Sequence, residues 1–103
     1  MTKIIFNSKV TGEITDLDVS VNGKAITPEI SDGGYAIEFT GNIPAGSILV
    51  VTYKLVGMNG TDFSIVYSCF ADDNEKKDPG KKSPINGTII SGNTIQQSLK
   101  INI

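Results

Sequence analysis

The chain has 103 residues, with 11 acidic side chains against nine lysines for a net charge of −2, and it contains no histidine, tryptophan or arginine. A single domain of this length buries roughly two-thirds of the surface its unfolded form exposes, so it can hold a core without a disulfide or a metal. The near balance of charge argues against nucleic acid or anionic lipid as partners, and the missing histidine removes the commonest acid/base group.

The first segment, Lys3-Ile4-Ile5-Phe6, is too short and too β-branched for a helix, and Thr11-Gly12 supplies turn chemistry, so a strand is expected over 2–9. Neither the apolar core of a secretory signal nor a run approaching about 18 apolar residues is visible, which predicts no membrane span. From Glu13 the chain alternates: Leu17, Val19 and Val21 share one face, and Asp16, Asp18 and Ser20 share the other. This period of two predicts a half-buried strand.

Asn22-Gly23 accepts positive φ at both positions, which predicts a type I′ hairpin pairing Val21 with Lys24 and Val19 with Ile26. Pro28 lacks an N–H and places the return strand at an edge or ends it there, and Ser31-Asp32-Gly33-Gly34 reads as a turn. Tyr35, Ile37 and Phe39 then alternate with Ala36, Glu38 and Thr40 in a further strand. The run Ile48-Leu49-Val50-Val51, within the segment 47–56, is apolar on both faces and predicts a central strand covered on both sides.

Asn59-Gly60 suggests a two-residue hairpin loop that sets Val56 opposite Phe63 and Val50 opposite Cys69, with neither face clearly the core. Asp72 to Pro84 reads as one long polar loop. Two last strands, 85–90 and 94–102, are joined by Ser91-Gly92-Asn93, and Gln97 interrupts the apolar alternation of Ile95, Leu99, Ile101 and Ile103. About eight short strands without helical periodicity predict one all-β domain over 1–103, an antiparallel β-sandwich. Immunoglobulin-like topology is the first expectation, although the Cys…Trp…Cys landmark is absent, with a jelly roll or small barrel as the alternative.

Candidate chemistry is sparse. Cys69 sits in a strand with no imidazole to generate its thiolate and reads as a buried core thiol; as the only cysteine it excludes an intrachain disulfide. Asp16 and Asp18 lie on one strand face at a spacing a glycosidase could use, but alternating acids are ordinary surface chemistry. Lys81-Lys82-Ser83 lacks the first glycine of a phosphate loop, and the two Asn-Gly-Thr sequons have a turn explanation. The lysines at 76, 77, 81 and 82 are matched one for one by Asp72, Asp73, Glu75 and Asp78, so this stretch sums to zero charge.

Three binding expectations remain. Asp32, Tyr35 and Asn42 combine an acid, a ring and an amide that could meet a sugar at a loop mouth. Asp72, Asp73, Asn74 and Asp78 offer hard oxygen ligands for calcium, although the EF-hand pattern fails. The chain ends in Lys100-Ile101-Asn102-Ile103, still strand-like, and such a terminal strand can pair with another subunit. The expected function is therefore a non-catalytic binding or assembly module with a protein partner, or a lectin-like domain with a glycan partner, with no cofactor unless calcium assists. The compartment is open.

Overall fold

The computed structural model describes residues 1–90 and 92–103, so the Ser91 of the expected Ser91-Gly92-Asn93 turn lies outside the described residues. Two antiparallel sheets pack face to face, and among the described residues there is no helix long and apolar enough to cross a membrane. The larger sheet runs β4 (Glu29–Ser31), β5 (Gly34–Ile43), β1 (Thr2–Gly12) and β7 (Asp62–Ala71), with β8 (Asn74–Lys76) and β9 (Ile85–Thr88) sharing the far edge of β7. The smaller sheet runs β10 (Thr94–Asn102), β6 (Ile48–Val56), β2 (Asp16–Val21) and β3 (Lys24–Ile26).

Period-two alternation builds the core. Ile4, Phe6 and Val10 of β1 face Leu49, Val51, Tyr53 and Leu55 of β6 across the layer, all fully buried, and each such side chain contributes about 1.5–3 kcal/mol by leaving water. Leu17, Val19 and Val21 are buried as expected. The run 48–51 is central in its ladder but covered on one side only: Leu49 and Val51 are buried, Val50 is half-buried and Ile48 is exposed. Nothing packs on the outer face of a two-layer sandwich, so apolar character on both faces did not report two-sided burial.

Ser8 is the one polar side chain pointing inward from the middle of β1. It accepts a 2.7 Å hydrogen bond from the Tyr53 hydroxyl and donates a 2.7 Å bond to the Val66 carbonyl. This chain ties the two sheets together with every buried side-chain polar atom partnered among the described residues, the condition under which interior polarity is tolerated. Burial moves the Tyr53 phenol well above its ordinary pKa and pushes the Cys69 thiol up to about 11.

The Asn22-Gly23 hairpin forms in the expected register, with φ of 49° and 84°, and Asn22 also accepts the Val50 N–H through Oδ1 at 2.8 Å. The other two Asn-Gly steps do something else. Asn59-Gly60 lies in a crossing between sheets, where Thr61 N–H closes a turn onto the Met58 carbonyl and only Gly60 has positive φ. Consequently β6 and β7 do not pair, and the Val56–Phe63 and Val50–Cys69 pairings are replaced by Val56–Asp16 and Cys69–Phe6.

Asn86-Gly87 lies inside β9, where a Cβ on Gly87 would come within 2.6 Å of the Phe63 ring, so close packing rather than a turn demands glycine there. The second positive-φ hairpin is Asp72-Asp73, with φ of 45° and 68°, which folds β8 back onto β7 inside the expected long loop. Short Asp side chains tolerate the left-handed region, and Asp72 Oδ1 accepts the Lys3 N–H at 3.0 Å.

Pro28 works as its chemistry suggests. The chain pairs with β2 as β3, passes Thr27-Pro28, and pairs with β5 as β4, so one extended segment switches sheets at the point where a donor is missing. Immunoglobulin constant-type domains keep their first two strands adjacent in one sheet. Here β1 and β2 lie in opposite sheets.

Candidate functional site

The topology leaves sheet edges of unequal length. β3, β4 and β8 are three residues each and β9 is four, short enough to offer little to an incoming strand. β10 has nine residues and pairs on one side only, with β6. Its inward groups are fixed by the ladder register and by Ile103, whose N–H donates to the Ser47 carbonyl and whose carbonyl accepts the Gly46 N–H, while Lys100 N–H points away from β6. Alternation then turns the N–H and C=O groups of Thr94, Gln96, Ser98, Lys100 and Asn102 outward along the free edge.

One of these outward donors is engaged. The Lys100 N–H donates to Asp78 Oδ2 at 2.9 Å, while Asp78 Oδ1 accepts the Gly80 N–H at 2.8 Å. Asp78 belongs to the segment 77–84, which leaves β8 and returns as β9 on the same edge of β7, and which bridges the open side of the sandwich between β7 and β10. Lys81 Nζ reaches Gln97 Oε1 at 2.8 Å, so the amide that interrupts the apolar alternation of β10 is the receptor for this strap.

Tyr67 anchors the same segment from the β7 side. Its hydroxyl donates to the Lys81 carbonyl at 2.7 Å and accepts the Asp78 N–H at 3.1 Å, and its own N–H donates to Ser83 Oγ at 3.2 Å. Its ring stacks on Phe6 with centroids 6.2 Å apart. Burial raises the Tyr67 phenol pKa, partly opposed by the hydrogen bond with the Asp78 backbone. The Asp78 carboxyl is held below the ordinary carboxylate range, chiefly by the Lys100 N–H; partial burial opposes this, and the Gly80 N–H and the charges of Lys81 and Lys100 reinforce it.

The expected sugar constellation is not assembled. Asp32 sits at the two-residue turn between β4 and β5, and Tyr35 faces the core from β5 in register with Val10 and Ile30. Asn42 is seven residues further along the same strand and on its opposite face, roughly 23 Å away by strand rise. The expected calcium ligands also separate by task. Asp72 and Asp73 form the hairpin turn, Asn74 Nδ2 donates to the Asp72 carbonyl at 3.4 Å, and Asp78 is engaged by backbone N–H groups. Among the described residues no group of three or more His, Cys, Asp or Glu side chains is placed to hold a metal ion.

Asp16 and Asp18 are exposed on the outer face of β2, with Asp16 Oδ1 accepting the Leu17 N–H and Asp18 opposite Lys54. Tyr67 and Lys81 went unread as a latch because their contacts join residues 14 to 16 positions apart across a polar segment; the misplaced Gln97 was the one visible signal. Comparison with protein-family models, with curated proteins and with solved structures finds no match for this chain.

Proposed function

We propose that the protein is a non-catalytic assembly module that joins a second copy of itself through the free edge of β10. One observation carries this reading: a nine-residue edge strand whose outward ladder groups meet, among the described residues, a single side-chain partner, Asp78. Natural sheets usually shorten, charge or cover such an edge, and β10 carries one charge, Lys100, among its outward residues. In an antiparallel pairing centred on Ser98, Gln96 of one copy faces Lys100 of the other and Thr94 faces Asn102, so no like charges meet. The smaller sheet then continues from one copy into the next.

Light scattering over a concentration series tests this, alongside the variant Ser98→Pro. Proline at 98 deletes an outward N–H and leaves the donors used by β6 in place, a substitution that edge strands accept. Concentration-dependent dimerisation of the parent chain, lost in a folded Ser98→Pro variant, is the expected result. A parent that stays monomeric to millimolar concentration, or a variant that dimerises equally, rules the reading out. As to topology, the separation of β1 and β2 into opposite sheets favours a jelly-roll-like arrangement over an immunoglobulin-like one.

A further inference from the structure

The lysines and acids of residues 72–82 cancel in sequence, but the fold distributes them unequally. Asp72 is turned onto the Lys3 N–H at the hairpin, Asp78 onto the Lys100 and Gly80 N–H groups, and Lys81 onto Gln97. Apart from Asp73 in the hairpin turn, what remains lines a cleft of about 240 Å³ between β8 and the strap: Lys76, Lys77 and Lys82, with Glu75 its lone carboxylate. The Lys77–Glu75 pair is 3.9 Å apart with both side chains about 60% exposed, too solvated to neutralise the cleft. Three lysines therefore line the cleft beside one weakly paired acid.

The cleft has donors as well as charge. Ser68 and Ser83 line it; Ser83 Oγ is occupied as an acceptor of the Tyr67 N–H, which leaves its hydroxyl hydrogen free to donate. β8 ends at Lys76 and β9 begins at Ile85, so between them the outer edge of β7 at Tyr67 has no strand partner. The strap that forms the far wall is fixed by the Tyr67, Asp78 and Lys81 bonds, so its geometry exists before a ligand arrives, which lowers the ordering cost of binding.

We infer that this cleft between β8 and the 77–84 strap binds a doubly charged tetrahedral oxyanion, a phosphate monoester or the free phosphate or sulfate ion, held by Lys76, Lys77 and Lys82 with the Ser68 and Ser83 hydroxyls as donors. The excess of two positive charges matches a dianion, and the concavity admits a single group where a flat basic face would suit a polymer. The site is on the larger sheet's side of the strap and does not depend on pairing at β10. Solvent access sets the dissociation constant at roughly millimolar, weakening with added salt.

The test is an NMR titration of the isotopically labelled full chain with inorganic phosphate and with inorganic sulfate, against sodium chloride at matched ionic strength. Saturable shifts confined to the amides of residues 67–68, 75–77 and 82–83 are expected, weakened at least fivefold in Lys76→Gln and in Lys82→Gln and unchanged in Lys54→Gln on the other sheet. A hexose 6-phosphate should shift the same amides and the uncharged hexose should not, which separates an ester ligand from the free ion. Shifts that match chloride, saturation unaffected by the two cleft variants, or equal binding of the uncharged hexose would each overturn the inference.

Discussion

The two long sides of the sandwich are closed by different means. On one side the main chain itself crosses from β3 through Thr27-Pro28 to β4, so the sheets are joined by covalent continuity and by ladder bonds at both ends. On the other side no strand crosses, and the gap between β7 and β10 is bridged by side chains: Tyr67 from one sheet, Gln97 and the Lys100 amide from the other, with Asp78 and Lys81 between them. The first closure leaves little to bind. The second leaves a free strand edge and a charged cleft on either side of the strap, which is why both proposed functions fall there.

The comparison breaks most severely from below. Phe6 is fully buried and supports the Tyr67 ring, so Phe6→Ala opens a core cavity beneath the side-chain closure; chemical denaturation should register a loss of about 3–5 kcal/mol. Gly34→Ala attacks the strand-closed side. Its Cβ would lie 1.9 Å from the Val10 carbonyl oxygen, a backbone collision that should cost about 1–3 kcal/mol. The matching change at Gly80, where the nearest atom is Asp78 Oδ1 at an ordinary 3.4 Å, should stay within about 0.5 kcal/mol. Equal costs at the two glycines would contradict the distinction between the sides.

Tyr67→Phe keeps the stack on Phe6 and removes the hydroxyl shared by Lys81 and Asp78, for an expected loss of about 1 kcal/mol in thermal or denaturant unfolding. The smallest effect on stability concerns Asp78. Because its folded pKa is depressed, its contribution is fully present above the unfolded value of about 4 and is lost as pH falls through the lower folded value. Asp78→Asn should flatten that acid dependence. Asp78→Ala, which removes the acceptor and frees the Lys100 N–H, should tighten any β10-mediated dimer at neutral pH, measurable by sedimentation.

Legibility from the sequence followed the range of the interactions. The β2–β3 hairpin was readable to the residue because Asn22-Gly23 and its flanking alternation are local, and the C-terminal strand and the edge position around Pro28 were readable for the same reason. The Asp72-Asp73 hairpin was hidden by a dipeptide that shares the backbone tolerance of Asn-Gly but not its frequency in such turns. Asn86-Gly87 misled in the opposite direction, since its glycine answers to the Phe63 ring and not to a reversal. The β6–β7 crossing was unreadable because a type II-like turn at Gly60 and a hairpin share one signature, and only the packing of two sheets distinguishes them.

The candidate site was legible in its members and not in its arrangement. The sequence makes Asp78 a candidate metal ligand, whereas its oxygens accept from backbone N–H groups, one of them on a strand 22 residues away. The four lysines were read as cancelled, which holds for a sum along the chain and fails once neighbours are directed to different partners. The Asp32, Tyr35 and Asn42 grouping failed on parity: positions 35 and 42 on one strand cannot point to the same side.

Amide hydrogen exchange along β10, followed residue by residue at a concentration where the chain is monomeric, tests most directly whether this edge is open and guarded at one point. Slow exchange at Lys100, which becomes fast in Asp78→Ala, beside fast exchange at Gln96, Ser98 and Asn102, is the predicted pattern. Uniform protection along all the outward amides, or a Lys100 amide that exchanges as quickly as its outward neighbours, would contradict it.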